Sequence, residues 1–207
     1  VPRVPVEDNS MTGEQPTYRD LWLRIRDGLP KKGRDAEAAG AEPKLPAELE
    51  GAARSLYQNY EKSFHRWSAD ADVAARGGTP PVFVVVCNNQ RVAKMVFDYI
   101  AGWTKTLPDG TEGVVPGQLL LFNNESGGRW SSRPKSILVD SEQLESGDAM
   151  SDEFKRIAAI EIEEFKADYR ARFPGRDADD LTDEDLLREV MNTVGKQGKL
   201  GEQVRCV

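Results

Sequence analysis

The most pointed chemistry in this chain lies in Asn88-Asn89-Gln90-Arg91, which follows six consecutive apolar residues, Val82-Phe83-Val84-Val85-Val86-Cys87. A polar turn between a strand and a helix presents backbone amides at the positive end of the helix, where an anion such as phosphate is favoured. Asn88 or Asn89 acting simply as a helix cap accounts for the same residues without a ligand. A second polar turn, Asp140-Ser141-Glu142, follows Ile137-Leu138-Val139 and holds the corresponding place after another strand. Asp140 and Glu145 supply carboxylates for a divalent cation, but no third ligand or base accompanies them, so catalysis is not expected there. The third stretch, 195–201, places Lys196 and Lys199 among glycines. It follows a helix and precedes a strand, the reverse of an ATP-cradling loop, and neither lysine is followed by Ser or Thr. Two readings remain for it: lysines set beside DNA phosphates, or a plain solvated connection.

Other chemistries find little material. There is no nucleophile elbow of the G-x-S-x-G kind and no H-E-x-x-H zinc helix. A nuclease core drawn from Asp140, Glu142 and a distant lysine has no support in spacing. The single histidine, His65, sits beside an apolar helical stripe and reads as a boundary residue. Cys87 and Cys206 each adjoin an apolar run and read as small buried hydrophobes, not a disulfide framework. No Cys/His cluster has metal-ligand spacing, so no metal site is expected, and a reducing, cytoplasmic compartment is the default. No apolar run reaches the roughly 18–20 residues needed to cross a bilayer. The net charge is −7, from 28 basic and 35 acidic residues, the wrong sign for a surface that grips nucleic acid everywhere. Any DNA contact must then be local, through a few loops.

The elements that would position these turns follow from periodicity. At 207 residues, 39% hydrophobic and 30% charged, the chain suits one domain of ordinary size with an attached segment. Tyr18, Leu21, Trp22 and Ile25 share one face of a short helix ending near Gly28 and Pro30. Residues 31–46 read as a polar linker. Leu49, Ala52, Ala53, Leu56, Tyr60, Phe64 and Trp67 form an amphipathic helix over 48–67. The run 82–87, lacking alternation, predicts a strand buried on both faces in a parallel sheet. Val92, Ala93, Val96, Phe97 and Ile100 predict the helix after it, to about Trp103. Short strands are expected at Leu119–Phe122 and Ser136–Val139. Ser151 should cap a long helix bearing Phe154, Ile157, Ala158, Ile162, Phe165, Tyr169 and Phe173. Thr182 should cap a second helix bearing Leu186, Leu187, Val190, Met191 and Val194, with Asp183, Glu184 and Asp185 in its first turn. A last strand is expected to begin near Val204. The expected fold is α/β, a mainly parallel sheet flanked by helices, with 1–80 a helical and linker segment and 81–207 the sheet-bearing domain.

This order of elements resembles the second RecA-like lobe of superfamily 2 helicases. The strings PPVFVVVCNN, ILVDSEQLESGDA, LTDEDLLREVMNTVGKQGKLGEQVRCV and VPRVPVEDN are similar to those of the Res (helicase/restriction) subunits of type III restriction endonucleases, which are DEAD/DEAH-box helicases. The likeness covers most of the chain and is weakest over 31–46 and 104–133. It implies an incomplete RecA-like lobe with a helical N-terminal extension, an internal part of a larger motor. The Walker A lysine and DEAD/DEAH acids of that family belong to the first lobe, and its arginine finger follows the strand begun at Val204. ATP hydrolysis needs both lobes around nucleotide and metal, so this piece alone is expected to be inactive. The resemblance assigns DNA-facing roles to Asn88, Asn89, Gln90, Ser141 and Glu142; Lys196 and Lys199 are added on charge. ATP and Mg would be held by the rest of the parent, and the implied partners are DNA, the first helicase lobe and a modification (methyltransferase) subunit.

Two other classes of function fit the residues. An acidic, self-contained α/β protein-interaction module needs neither nucleotide nor DNA, and the acidic balance favours it. A standalone hydrolase of flavodoxin-like kind would seat its ligand at the turns after the strands, but no nucleophile–base pair is recognisable.

Overall fold

Helix α2, Ala47–Ala69, is the longest element of the computed structural model, which describes residues 20–30, 42–75, 78–131, 133–139 and 159–207. Ahead of it stands the short α1, Leu21–Ile25, and after it the short α3, Ala71–Ala75. Ala52 and Tyr60 of α2 are buried, and Leu49, Ala53, Phe64 and Trp67 are half-buried on the same stripe. Leu56, expected on that stripe, points outward at 41% exposure. Tyr60 anchors the helix: its ring packs on Phe64, Phe83 and Phe122, and its hydroxyl donates to the Pro81 carbonyl at 3.0 Å.

The segment 82–87 is extended and leads into α4, Gln90–Ala101. Val92, Met95, Val96, Tyr99 and Ile100 fill the inner face of α4. The helix stops at Gly102, whose φ of +115° and close approach to the Val115 carbonyl exclude a side chain. From there the chain forms a hairpin that periodicity did not signal, β1 Gly102–Thr106 paired antiparallel with β2 Glu112–Pro116. Its turn is built by Asp109, whose carboxylate accepts from the Thr111 amide and hydroxyl, and by Gly110 at φ +80°. A second, two-rung hairpin joins β3 Glu125–Ser126 to β4 Arg129–Trp130.

The expected strand at 119–122 is instead a 3-10 turn over Leu120–Phe122. Leu119 and Phe122 are 1% and 0% exposed while Leu120 is 75% exposed. Burial thus repeats every three residues, the spacing of a 3-10 turn and not the alternation of a strand. Asn124 then ties this turn to the next extended segment. Its side chain donates to the Ser136 carbonyl at 2.8 Å and accepts from the Lys135 and Ser136 amides at 2.8 and 3.0 Å.

Helix α5 spans Ala159–Arg172, so the expected N-cap Ser151 and Phe154, Ile157 and Ala158 lie outside the described residues. Helix α6, Asp183–Asn192, starts at Thr182 with a reciprocal cap: Asp185 N–H donates to the Thr182 hydroxyl, and Thr182 N–H donates to the Asp185 carboxylate. Leu186, Leu187 and Val190 are buried, whereas Met191 is 40% exposed.

Among the described residues, every regular strand pairs antiparallel. Parallel pairing is confined to two bridges, Phe83–Cys206 and Ser136–Cys206, so 204–207 lies between 82–87 and 135–139. Backbone bonds of 2.7–3.0 Å join Phe83, Val85 and Val207 on one side and Lys135, Ile137, Arg205 and Cys206 on the other. This rudimentary ladder separates two cores. On one side Phe83, Val85, Cys87 and Cys206 pack with α2, α4 and Phe122. On the other, Ile137, Val139, Val204 and Val207 pack with α5 and α6. The second helical layer does not reach the 82–87 edge. Val82, Val84 and Val86 are 38%, 63% and 90% exposed, so the run expected to be buried on both faces is covered on one. The fold is a mixture of helices with small antiparallel hairpins. No helix of the described residues is long and apolar enough to cross a membrane.

Candidate functional site

Because the three ladder segments run parallel, their carboxyl ends share one side of the molecule. Asn88, Asn89 and Gln90 lie there, after 82–87. Asp140, Ser141, Glu142 and Glu145 lie outside the described residues, although Val139 brings the chain to that same end. Asn88 and Gln90 are exposed. Asn89 is occupied by the fold: its side-chain oxygen accepts from the Val92 amide at 3.0 Å, and its amide nitrogen donates to the Pro30 carbonyl at 3.3 Å. It both caps α4 and holds the end of the 20–30 segment, so the capping reading accounts for its side chain.

Between this end of the ladder and α4 opens a small, partly open pocket of about 40 Å³ lined by Val85, Cys87, Val96, Phe97, Ile137 and Cys206, among other apolar residues. Nothing in that lining pairs with a phosphate or moves a proton. Burial pushes the Cys87 thiol up from its ordinary range and the Cys206 thiol up to about 12, so both are protonated near neutrality and poorly nucleophilic. Among the described residues no group of three His, Cys, Asp or Glu could hold a metal.

Lys196 and Lys199 belong to the opposite end. A Cβ on Gly195 would stand 2.3 Å from Pro80 Cδ, so the loop abuts Pro80, two residues before the 82–87 segment. At about 3.3 Å per extended residue, Asn88 lies roughly 20 Å or more along the ladder from this loop. The sequence-derived set therefore divides into two places. The loop is also tightly tied: Gly195 N–H donates to the Gly201 carbonyl at 2.8 Å, Gly198 N–H to the Glu202 carboxylate at 2.8 Å, and Gly201 N–H to the Thr193 hydroxyl at 3.1 Å. These amides, with those of Lys196 and Lys199, are spent on the protein and are not offered to a phosphate. Lys199 pairs with Asp168 of α5 at 3.0 Å, and that bond holds the Asp168 carboxyl below its usual range.

Sequence reasoning passed over the residues beside this loop. Tyr169–Arg176 contains three arginines and no acid, a signal hidden by the acidic balance of the whole chain. Arg170, Arg172 and Arg176 are exposed where α5 ends, and Phe173 is 47% exposed between them. Its ring packs at a 45° tilt against Tyr169 at 4.9 Å, and the Arg176 guanidinium lies 5.8 Å from its centroid. Arg170 approaches Asp179 at 3.9 Å, and Asp179 is held mainly by Lys166 at 2.8 Å.

No family model, no curated protein and no solved structure matches this chain.

Proposed function

We propose that this chain contributes the second, RecA-like motor lobe of an ATP-dependent DNA helicase or translocase of the type III restriction Res kind. The observation that supports the reading is the crossed order of the ladder. The segment latest in sequence, 204–207, lies parallel between the two earlier ones, with a helical layer on either side. Parallel segments with helices on both faces are how doubly wound α/β domains are built, and such domains bind ligands beyond the carboxyl ends of their strands. The exposed Asn88 and Gln90 at that end would meet the DNA backbone, with Ser141 and Glu142 as further contacts. ATP and Mg would be bound by other parts of the parent protein, together with a methyltransferase subunit that reads the site. The chain by itself would not hydrolyse ATP, because ATP hydrolysis requires groups from two lobes around the phosphates.

The test is fluorescence anisotropy with a labelled duplex of about 30 base pairs near 20 mM salt, where backbone contacts are strongest. Weak binding with a shallow salt slope, reduced severalfold by Asn88→Glu with Gln90→Glu, is expected. No duplex binding at that salt would overturn the reading in favour of an acidic protein-interaction module without nucleotide chemistry.

A further inference from the structure

We propose that the amino-terminal end of the ladder carries a contact site for single-stranded nucleic acid, with a base stacking on Phe173 and phosphates meeting Arg172 and Arg176. The inference deepens the DNA-binding reading but uses the end of the molecule opposite to Asn88. Phe173 offers a half-exposed ring that leans at a tilt against Tyr169 at 4.9 Å, so its exposed part can meet a base with little reordering. Arg176 is poised beside the same ring at 5.8 Å. The ion pair between Lys199 and Asp168 seats the carboxyl-terminal half of α5 beside the 195–201 loop, with Arg172 one helical turn further on. Arg172 feels the Asp168 carboxylate that Lys199 already holds, and Arg176 lies by the Phe173 ring; both guanidinium groups are exposed. Of the acids close by, Asp168 and Asp179 are engaged with Lys199 and Lys166, Asp177 accepts from the Asp179 amide, and Asp180 is exposed. Exposed aromatic faces interleaved with arginines are the chemistry of strand binding without sequence preference, since every base has a face to stack. An acidic peptide would use the arginines and leave the ring idle, which makes the nucleic acid the better match.

The experiment titrates fluorescein-labelled oligo-dT with the whole chain at about 20 mM salt. Phe173→Ala should weaken binding about tenfold, the usual consequence of losing one stacking ring. Phe173→Trp should preserve binding and report it by fluorescence quenching. Arg172→Gln with Arg176→Gln should weaken binding and flatten the salt slope by about two ions. Circular dichroism of each variant should match the parent, since these side chains are exposed. The proposal is overturned if oligo-dT does not bind, if Phe173→Ala binds as the parent does, if an abasic oligonucleotide binds equally well, or if polyglutamate competes as effectively at equal charge. Failure of the duplex test with Asn88→Glu leaves these outcomes untouched, so the two readings fall separately.

Discussion

Asn124 offers the most direct test of how the two halves of the molecule are joined. It is 4% exposed, and its side chain makes three bonds of 2.8–3.0 Å to the backbone of Lys135 and Ser136. Asn124→Ala would remove all three and leave the Ser136 carbonyl and amide without partners where Ser136 is 2% exposed. A buried backbone group stranded in this way costs about 1–3 kcal/mol. The Lys135 amide belongs to an exposed residue and can turn to water, so it contributes less. The expected loss is about 3 kcal/mol, within a range of about 2–5. For a chain of this length that corresponds to a fall in Tm of roughly 6–12 °C. Urea unfolding followed by tryptophan fluorescence measures it, with Thr111→Ala at the exposed hairpin tip as the control. The control should lose about 1 kcal/mol or less, because only exposed bonds go. If Asn124→Ala lost under about 1 kcal/mol with an unchanged m-value, the 135–139 segment would not be held as described.

Two further outcomes follow from the packing. Gly117→Ala should destabilise by at least about 2 kcal/mol, since the new Cβ would fall 2.1 Å from the Ile100 carbonyl oxygen, a backbone atom that cannot swing aside; thermal melts of the purified variant check it. Stability should fall as pH rises above about 9, because burial holds both the Cys206 thiol and the Tyr60 hydroxyl up to about 12 while the unfolded chain releases those protons earlier. The folded state then binds more protons than the unfolded one through that window, so the slope of stability against pH is negative. Urea midpoints from pH 7 to 11 would show it, and Cys206→Ala should reduce the slope.

Helices were the legible part of this sequence. The Thr182 cap with Asp185, the Asn89 cap and the stripe from Leu49 to Trp67 depend on neighbours within a turn or two, which sequence displays directly. The strands were less legible because they depend on distant partners. An unbroken apolar run at 82–87 marks a potential for burial on both faces, and whether the second face is covered depends on where α5 and α6 lie. The apolar cluster 119–122 was open to either period, and the Asn124 bonds to Lys135 and Ser136 help fix the turn in place. The hairpin at 102–116 was hidden because only its turn, Pro108-Asp109-Gly110, is punctuated while its strands are half polar. At the candidate sites, residue type indicated Asn88 as a polar residue after an apolar run and Lys196 as a charge in a glycine-rich loop. Their separation at opposite ends could come only from the parallel direction of the ladder. The Arg and Phe corner after α5 was readable as a local charge run but was masked by the acidic balance of the whole chain.

The middle rung of the ladder has a consequence for how the molecule reaches its native state. Cys206 bridges to Phe83 and to Ser136, and it lies far along the chain from both. Neither core can be sealed along the ladder until that late stretch has left the ribosome, because Val204 and Val207 line one core and Cys206 the other. Contacts so distant in sequence make for slow assembly. Until then Phe83 and Val85 stand in water with their amides unpaired, the state in which an apolar extended segment is prone to associate with another chain.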